Sequence, residues 1–233
     1  MSNWLKELRV TTMQERDFDQ TGWENPALDN VIQRALQKLG FVYFDRGEYN
    51  CNVVAIRNDI TPRDNEFDDL LTIGFYHMQR GELRKALGAW LCTTEPGRHW
   101  LKTPISEAAK SGAAIWKCPQ QVRGSHQYGL HSANHWGLIQ AKPIEIVRDS
   151  NWNGKPETEG MQITKGQYFC NIHGSYGVPT VENQSAGCIA TKAAYNSEAY
   201  YRYLYVLQQG MKNYGNAFTT TLIPASALFD GRN

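Results

Sequence analysis

The apolar positions of the chain fall into two helical patterns separated by many short alternating runs. The first helical pattern begins at Pro26, with Asn25 as the predicted N-cap, and ends at Gly40. Its apolar residues recur at helical spacing and form the predicted buried face, which consists of Leu28, Val31, Ile32, Ala35 and Leu36. The second pattern covers NSEAYYRYLYVLQQGM, with Asn196 or Ser197 as the cap. Gly210 lies near the predicted stop of this helix.

The chain between these helices has the pattern of a β-rich domain. FVYFDRGEYNCNVVAIRN predicts two strands around a DRGE turn. EFDDLLTIGFYHMQRGELRKALGAWLCTTEPG predicts a hairpin that turns at QRGE, although ELRKALGAWL also has helix propensity. Shorter β-like runs follow, punctuated by Pro and Gly, and they are AAIWKC, HQYGL, HWGLIQ, IEIV and QYFCNIH. A final predicted strand, AFTTTLIP, follows the second helix. We therefore predict a β-dominated α+β fold with few helices.

Length and charge narrow the classes of function. The 233 residues suffice for one large domain or one domain with a small appendage. A net charge of +1 gives no broad electrostatic basis for binding nucleic acid or anionic membranes. The N-terminus, MSNWLKELRVTTMQERDFDQ, lacks the apolar segment of a secretory signal, and no apolar run is long enough to span a bilayer. We therefore expect synthesis in the cytoplasm, no nucleic-acid partner and no membrane span.

The five cysteines do not form a recognisable framework. Their number is odd and no CxxC pair occurs, which argues against disulfide pairing and against a sulfur-rich zinc site. Cys51, Cys92, Cys118 and Cys170 lie within or beside apolar runs, so we interpret them as core residues. Cys188 differs, because it follows a polar loop that ends in SAG.

The segment CNIHGSYGVPTVENQSAGCIAT contains residue types that support nucleophilic catalysis. A cysteine attacks as a thiolate and needs a base, and His173 is the candidate base if adjacent strands bring it beside Cys188. Gly187 allows a close approach to the backbone, and the N–H groups of Gly187 and Cys188 are candidates for an oxyanion hole. The alternative interpretation is an inert, buried cysteine in a sheet.

The order HG, loop, SAGC and apolar residue resembles the active-site signature of the L,D-transpeptidase catalytic domain family, also called YkuD-like. The resemblance implies that Cys188 is the nucleophile and His173 the general base. It implies that Gly174 and Ser175 shape the strand end of the base and border the substrate. It also implies that Ser185 braces the turn and that Gly187 makes room for the acyl group.

Two positions depart from the family signature. Ala186 stands where the family has a second histidine, and Ala190 stands where Asn or Arg is expected. The loop between the two halves of the signature is also shorter than usual. His131 follows the QYGL run and is expected to line the same cleft, which makes it a candidate second histidine in place of the one absent at Ala186.

A phage and prophage group with a YkuD-like domain resembles a longer part of the chain, from about Asn52 to Leu222, and commonly has SAGC. The matching stretches are NVVAIRN, NEFDDLLTIGFY, TTEPGRHWL, QYGLHSANHWGLIQ, PIEIVRDSNWNG, NIHGS, QSAGC and FTTTLI. The resemblance implies a YkuD-like β-sandwich or barrel over residues 41–233, preceded by a helical elaboration over residues 1–40.

The stretch RDSNWNG is a candidate calcium loop. Asp149, Asn151 and Asn153 alternate before Gly154, as in the opening of such a loop, but its twelfth position is Gly160 and not Glu. The alternative is a plain hairpin turn, because Asx-rich turns with glycine connect strands without any ion.

Three histidines, His126, His131 and His135, lie close together in the sequence and raise the possibility of a metal-dependent hydrolase. Their spacing does not match strand alternation, and no carboxylate or thiol ligand accompanies them. Tyr128 and Arg123 are candidates to contact a sugar or carboxylate, with ordinary packing as the alternative.

Asp68 and Asp69 are adjacent, so on a strand they face opposite sides. This geometry argues against a paired-carboxylate glycosidase site, in which both groups face one gap. One of the two aspartates is instead expected to cap a turn.

The function implied by the resemblance is acyl transfer or hydrolysis at peptide bonds of bacterial cell-wall stem peptides. Cys188 forms a thioester while His173 shuttles the proton, and no metal or organic cofactor is needed. A chain without a signal peptide reaches the wall inside a phage particle, among other particle proteins, or with the help of a holin. The alternative is a non-catalytic virion or tail-associated protein that binds peptidoglycan. A lowered pKa of Cys188 is expected of the enzyme and not of the binder.

Overall fold

The structure, a computed structural model, describes residues 3–8, 26–132 and 134–229. The α-helices in these residues are Asn3–Glu7 (α1), Pro26–Lys38 (α2) and Glu198–Tyr214 (α3). The strands, in chain order, are Asn52–Arg57 (β1), Asp69–Gln79 (β2), Glu82–Thr93 (β3), Ala113–Trp116 (β4), Gln120–His131 (β5), His135–Gln140 (β6), Ile144–Asp149 (β7), Gln162–Gly166 (β8), Ile172–Ser175 (β9), Ile189–Ala194 (β10) and Phe218–Pro224 (β11). Short 3₁₀ turns lie at Glu107–Ala109 and Ala225–Leu228.

Eight of the strands form a closed barrel in the order β1-β11-β5-β6-β9-β10-β3-β2, and β4-β7-β8 form a second, three-stranded sheet. Within the barrel, β1 pairs with β11 and β9 with β10 in parallel, and the other neighbours are antiparallel. The prediction of a β-dominated α+β fold with few helices is confirmed. In the described ranges, no helix combines the length and apolar character needed to cross a lipid bilayer.

Strand β1 shows why its sequence is continuously apolar, since alternate side chains enter two different cores. Val53 and Ala55 join one core with the inner face of α3, whereas Val54 and Ile56 join a second core with α2. The barrel wall at β1 is therefore covered on both faces.

Helix α2 begins at Pro26, as predicted, and Gly40 follows its end with a φ of +73°. The predicted N-cap, Asn25, lies outside the described residues. Asp29 joins the helix to the barrel, because it accepts a hydrogen bond from the Tyr43 hydroxyl at 2.7 Å and pairs with Lys85 of β3 at 2.6 Å. Four of the five predicted face residues are buried there, and they are Leu28, Ile32, Ala35 and Leu36.

Helix α3 is capped by Ser197, whose hydroxyl accepts a hydrogen bond from the Tyr200 N–H at 3.2 Å. The predicted stop near Gly210 lies a few residues early, because the helix continues to Tyr214 and Gly210 packs against Cys51 inside it. A side chain at this position would approach the Cys51 sulfur to 2.9 Å, so packing explains the glycine. The helix ends instead before Gly215, which has a φ of +81°.

The predicted hairpin is confirmed as β2 and β3, which turn at Arg80-Gly81, both with positive φ. The prediction of two strands around DRGE is wrong, because only β1 forms in that stretch. The backbone of Val42 bonds the Gln121 side chain at 2.9 and 2.8 Å, and Phe44 bonds that of Asn52. These amides replace a neighbouring strand.

The run QYFCNIH, predicted as one strand, enters β9 only at its last two residues. Upstream, the N–H groups of Tyr168 and Cys170 both donate to the Gln140 side chain, at 2.9 and 3.0 Å. All five cysteines are free thiols, of which Cys118 and Cys188 are half-buried and the others buried.

Candidate active site

The parallel register of β9 and β10 determines where His173 and Cys188 lie. Ile172 pairs with Ile189, and His173 with Ala190. Cys188 therefore lies opposite Asn171, and the backbone N–H of Ile189 donates to the Asn171 carbonyl at 2.9 Å. Residues two apart on a strand share a face, so His173 and Cys188 are diagonal neighbours on one face of two adjacent strands.

The hydrogen bonds of His173 define its tautomer. Its Nδ1 lies 2.6 Å from the Gly174 carbonyl oxygen and 2.8 Å from the Tyr195 hydroxyl. Because a carbonyl oxygen can only accept, Nδ1 bears the hydrogen and Nε2 has the free lone pair. Burial, and secondarily the nearby His131, lowers the pKa of His173 to about 3, so the ring is neutral at pH 7. Nε2 is therefore the free site for a proton, on a ring that burial makes a weaker base than an exposed imidazole.

The Cys188 thiol is held between two backbone groups. Its Sγ donates to the Phe169 carbonyl oxygen and accepts from the Asn171 N–H, both at 3.4 Å. Burial raises the pKa of this thiol to about 11, and the Asn171 N–H opposes that rise. The resting group is therefore a protonated thiol, which differs from the lowered pKa expected of an enzyme.

His131 lies flat on the His173 ring, with centroids 3.9 Å apart and an interplanar angle of 8°. Asn171 orients it, because the Asn171 Oδ1 accepts from the Gln140 N–H at 2.9 Å and thereby directs its Nδ2 to the His131 Nδ1, also at 2.9 Å. An amide nitrogen only donates, so His131 accepts at Nδ1 and bears its hydrogen on Nε2. Burial and the nearby His135 lower the pKa of His131.

The SAGC turn is held by Ser185, whose hydroxyl donates to the Cys188 carbonyl at 2.7 Å and accepts from the Gly187 N–H at 3.2 Å. The Gly187 N–H, a predicted oxyanion donor, is thus already engaged within the turn. A side chain at Gly187 would lie 2.6 Å from the Ala114 carbonyl oxygen of β4, and the φ of Gly187 is +131°. The backbone of Gly187 therefore packs closely against the backbone of β4, which leaves no room for a side chain.

These residues border a cavity of about 530 Å³, a volume typical of small-molecule and peptide sites. Cys188, His173 and His131 line it together with Gly187 and Ala186. Aromatic side chains and one cation form other parts of its wall, and they are Trp100, Trp152, Tyr168, Phe169 and Arg148. Phe169 is 81% exposed, which makes it an apolar lip of the cavity.

Several predicted substrate-binding residues lie outside this lining. Arg123 is exposed on β5, and Tyr128 is buried beneath Trp136 with ring centroids 5.0 Å apart. Ser175 is buried and donates to the Lys192 carbonyl at 3.2 Å. Gly174 packs beneath the rings of Tyr195, which follows β10, and Tyr200 of α3. Tyr128 therefore packs in the core, which was the alternative to a role in binding substrate.

Sequence reasoning missed Arg148, Asn171, Tyr195 and the aromatic wall of the cavity. Asn171 lies two residues before His173 in the NIHGS stretch, so on a strand it shares a face with the candidate base, and this spacing could have identified it. Trp152 and Phe169 have positive φ values of 53° and 57°, a backbone conformation that the local sequence does not predict.

The candidate calcium loop is the connection between the antiparallel strands β7 and β8. Asp149 accepts the N–H groups of Asn151 and Glu157 at 3.1 and 3.0 Å, and Asn153 donates to Glu157 at 2.9 Å. The Asx side chains are thus used to close the loop. Across residues 3–8, 26–132 and 134–229, no three His, Cys, Asp or Glu side chains are grouped so as to hold a metal ion.

The three histidines of the candidate metal cluster are separated. His131 and His135 face each other across β5 and β6, whereas His126 is buried and stacks on Trp116 at 5.4 Å. His126 bonds the Cys170 carbonyl oxygen through Nε2 at 2.9 Å, and burial lowers its pKa to about 4. His126 therefore supports the segment before β9.

The two adjacent aspartates hold loops, as expected of one of them. Asp69 accepts from the Asn58 N–H at 2.7 Å and the Thr94 N–H at 2.6 Å. Asp68 accepts from the Asn58 side chain at 2.6 Å and the Arg63 N–H at 3.0 Å.

Fold and cavity together define a β-dominated α+β protein whose barrel presents a cysteine and two histidines to one pocket. Comparison with protein-family models, with curated proteins and with solved structures finds no match to the chain.

Proposed function

We propose that the protein is a phage-related cysteine enzyme with a YkuD-like fold that acts on peptidoglycan stem peptides by acyl transfer or hydrolysis. The observation that supports this most directly is the parallel pairing of β9 and β10. It puts Cys188 and His173 on one face, at the wall of one cavity. The substrate class rests on the resemblance of the HG and SAGC segments and their surroundings to that family.

The protonation states favour a general-base mechanism over a preformed ion pair. As Cys188 Sγ attacks the peptide carbonyl carbon, its proton passes to Nε2 of His173. The resulting imidazolium keeps its Nδ1–H bond to the Gly174 carbonyl, which supports the positive charge. Nε2 then returns the proton to the departing amine as the tetrahedral intermediate collapses to a thioester. Water or an acceptor amine resolves the thioester by the same proton transfers.

His131 is the candidate donor to the developing oxyanion, because it lines the cavity and bears a hydrogen on Nε2. The Gly187 N–H is bonded to Ser185, so it is not the donor in this arrangement. Neutral His131 suits the role, since a neighbouring charge would oppose the imidazolium that forms at His173.

One observation favours the second candidate function, a virion or tail-associated protein that binds peptidoglycan without turnover. Burial raises the pKa of Cys188 to about 11, so no activated thiolate exists before ligand binds. Ala186, where the family has its second histidine, is consistent with that alternative.

The deciding experiment incubates the protein with purified muropeptides and analyses both products and the Cys188 peptide by mass spectrometry. Cys188→Ala is the test variant, and Cys118→Ser, which alters a half-buried thiol that does not line the cavity, is the matched control. We expect new peptide products and an acyl mass on Cys188, both absent from Cys188→Ala alone. Muropeptide binding without turnover in the natural protein and in both variants supports the second candidate. The absence of both binding and turnover overturns both candidate functions.

A further inference from the structure

The wall of the Cys188 cavity has an unbalanced charge. Among the described residues that line it, Arg148 is the one Arg or Lys, and there is no Asp or Glu. His131 and His173 are neutral at pH 7 because burial lowers the pKa of each. A cavity of this kind presents one fixed positive charge to whatever occupies it.

Arg148 is positioned by contacts that leave most of its hydrogen-bonding capacity unused. Its guanidinium carbon lies 4.5 Å from the centroid of the Tyr168 ring, and its Nη1 donates to the Gly112 carbonyl at 3.2 Å. That bond is the only hydrogen bond of the Arg148 side chain to a described residue, and no described carboxylate forms an ion pair with it. A guanidinium has five N–H donors, so several remain for a ligand.

The same sheet contains a matched contrast. Lys117, which follows β4, pairs with Glu145 of β7 at 2.6 Å, outside the cavity. Arg148 lies three positions after Glu145 on β7 and is half-buried, and no described carboxylate pairs with it. A half-buried cation that has no protein anion beside it is free to pair with an anionic group of a ligand.

We propose that Arg148 binds a carboxylate of the peptide that occupies the Cys188 cavity. This inference deepens the proposed function, on which its substrate class rests, by specifying an acidic peptide. The carboxylate belongs either to a chain terminus or to an acidic side chain, and both present the same pair of oxygens to the guanidinium fork. Arg148 is thus a specificity-determining residue, separate from the thiol and its base.

The test uses thiol reagents that differ in the presence and position of a carboxylate. N-iodoacetylglycine has a terminal carboxylate, N-iodoacetylglycinamide has none, and N-iodoacetyl-aspartic acid α-amide has its carboxylate on the side chain. Alkylation of Cys188 is followed by mass spectrometry at pH 9, and each rate is divided by the rate with free cysteine. We expect the better-fitting acid to react about fivefold faster than the amide after this correction.

Arg148→Gln should remove this preference, and Arg148→Lys should retain part of it. Lys165→Gln is the matched control, because it removes one positive charge from an exposed position on β8 outside the cavity. It should keep the preference unchanged. Equal corrected rates for acid and amide in the natural protein, or a preference that survives in Arg148→Gln, overturn the proposal.

A second measurement does not depend on thiol reactivity. The indole N–H signals of Trp100 and Trp152, which line the cavity, are followed by NMR while acetylglycine or acetylglycinamide is added. Shifts with the acid alone, lost in Arg148→Gln, support the proposal, and equal shifts with both compounds contradict it. Carboxylate binding without muropeptide turnover would leave Arg148 recognition intact while removing the proposed catalysis, so the two failures are distinguishable.

Discussion

The imidazole of His131 lies parallel to that of His173, with their centroids 3.9 Å apart, and the Asn171 Nδ2 donates a hydrogen bond to the His131 Nδ1. Two rings in such contact resist being charged together, and the influence of His131 is one reason that the pKa of His173 is low. The pair therefore acts as a unit, in which one ring receives a proton while the other stays neutral.

Replacing His131 by Phe should separate the stacking role of this ring from its role as a donor. His131→Phe keeps a flat ring against His173 but has no N–H, so we expect kcat on muropeptides to fall about 100- to 1000-fold. The melting temperature should change little, and the pKa of His173, followed by NMR, should stay well below its usual value because burial, the larger cause of its lowering, remains. Unchanged kcat in a folded variant would contradict the donor role.

The Cys188 thiol should respond to pH as a buried, protonated group. Because burial raises its pKa to about 11, the rate of iodoacetamide labelling should rise about tenfold per pH unit from pH 7 to pH 10. His173→Ala should leave this slope unaltered in the free protein. A rate that is already constant between pH 6 and pH 8, and that falls in His173→Ala, would instead reveal a preformed thiolate–imidazolium pair.

Ser185 should matter for stability as well as for the site. Its buried hydroxyl bonds the Cys188 carbonyl and the Gly187 N–H, so Ser185→Ala leaves two polar groups unpaired. We expect the free energy of unfolding, measured in urea, to fall by about 1–3 kcal/mol. Ser150→Ala, at an exposed position, is the control and should change it by less than about 0.5 kcal/mol. An equal loss in both variants would rule out the bracing role.

Asp68 should make stability depend on pH in the neutral range. Burial, and then the neighbouring Asp69, raises its pKa from 3.8 to about 7. The folded state therefore binds a proton that the unfolded state releases between about pH 4 and pH 7, and stability decreases as pH rises through this window. Asp68→Asn, which keeps an acceptor for Asn58, should raise the free energy of unfolding by about 1–2 kcal/mol at pH 8 and not at pH 4.

The measurement for Asp68 is the difference in unfolding free energy between the variant and the natural protein at each pH. This difference cancels the opposite effect of His126, whose lowered pKa destabilises the fold as pH falls below about 6.5. Asp64→Asn, an exposed neighbour, is the control. A difference that stays flat from pH 4 to pH 8 would be inconsistent with the raised pKa.

Local patterns predicted the elements whose partners are close in sequence or whose apolar spacing is regular. Helices α2 and α3 and the β2–β3 hairpin are of this kind. The errors fall where a distant side chain replaces a strand, as Gln121 does for the backbone of Val42 and Gln140 does for that of Cys170. Such partners depend on the closed barrel, so no short window of sequence contains them.

The candidate site divides in the same way. His173 and Cys188 could be singled out because both lie in one short segment with glycines beside them. Arg148 could not, because its place in the cavity depends on the packing of the second sheet against the barrel. The local pattern RDSNWNG predicts a calcium loop that begins at Asp149, the next residue along β7, and it indicates no role for the arginine.

The parallel pairing of β9 and β10 has a consequence for how such a site can diversify. Strand β9 holds the base, and the SAGC turn at the start of β10 holds the thiol beside it. The loop between them, residues 176–184, returns from one end of the strand pair to the other. Residues added or lost in this excursion change what surrounds the cavity entrance without moving either reactive group. Related chains can therefore be sought by paired strand ends with a variable interval, since a fixed count between His and Cys would overlook them.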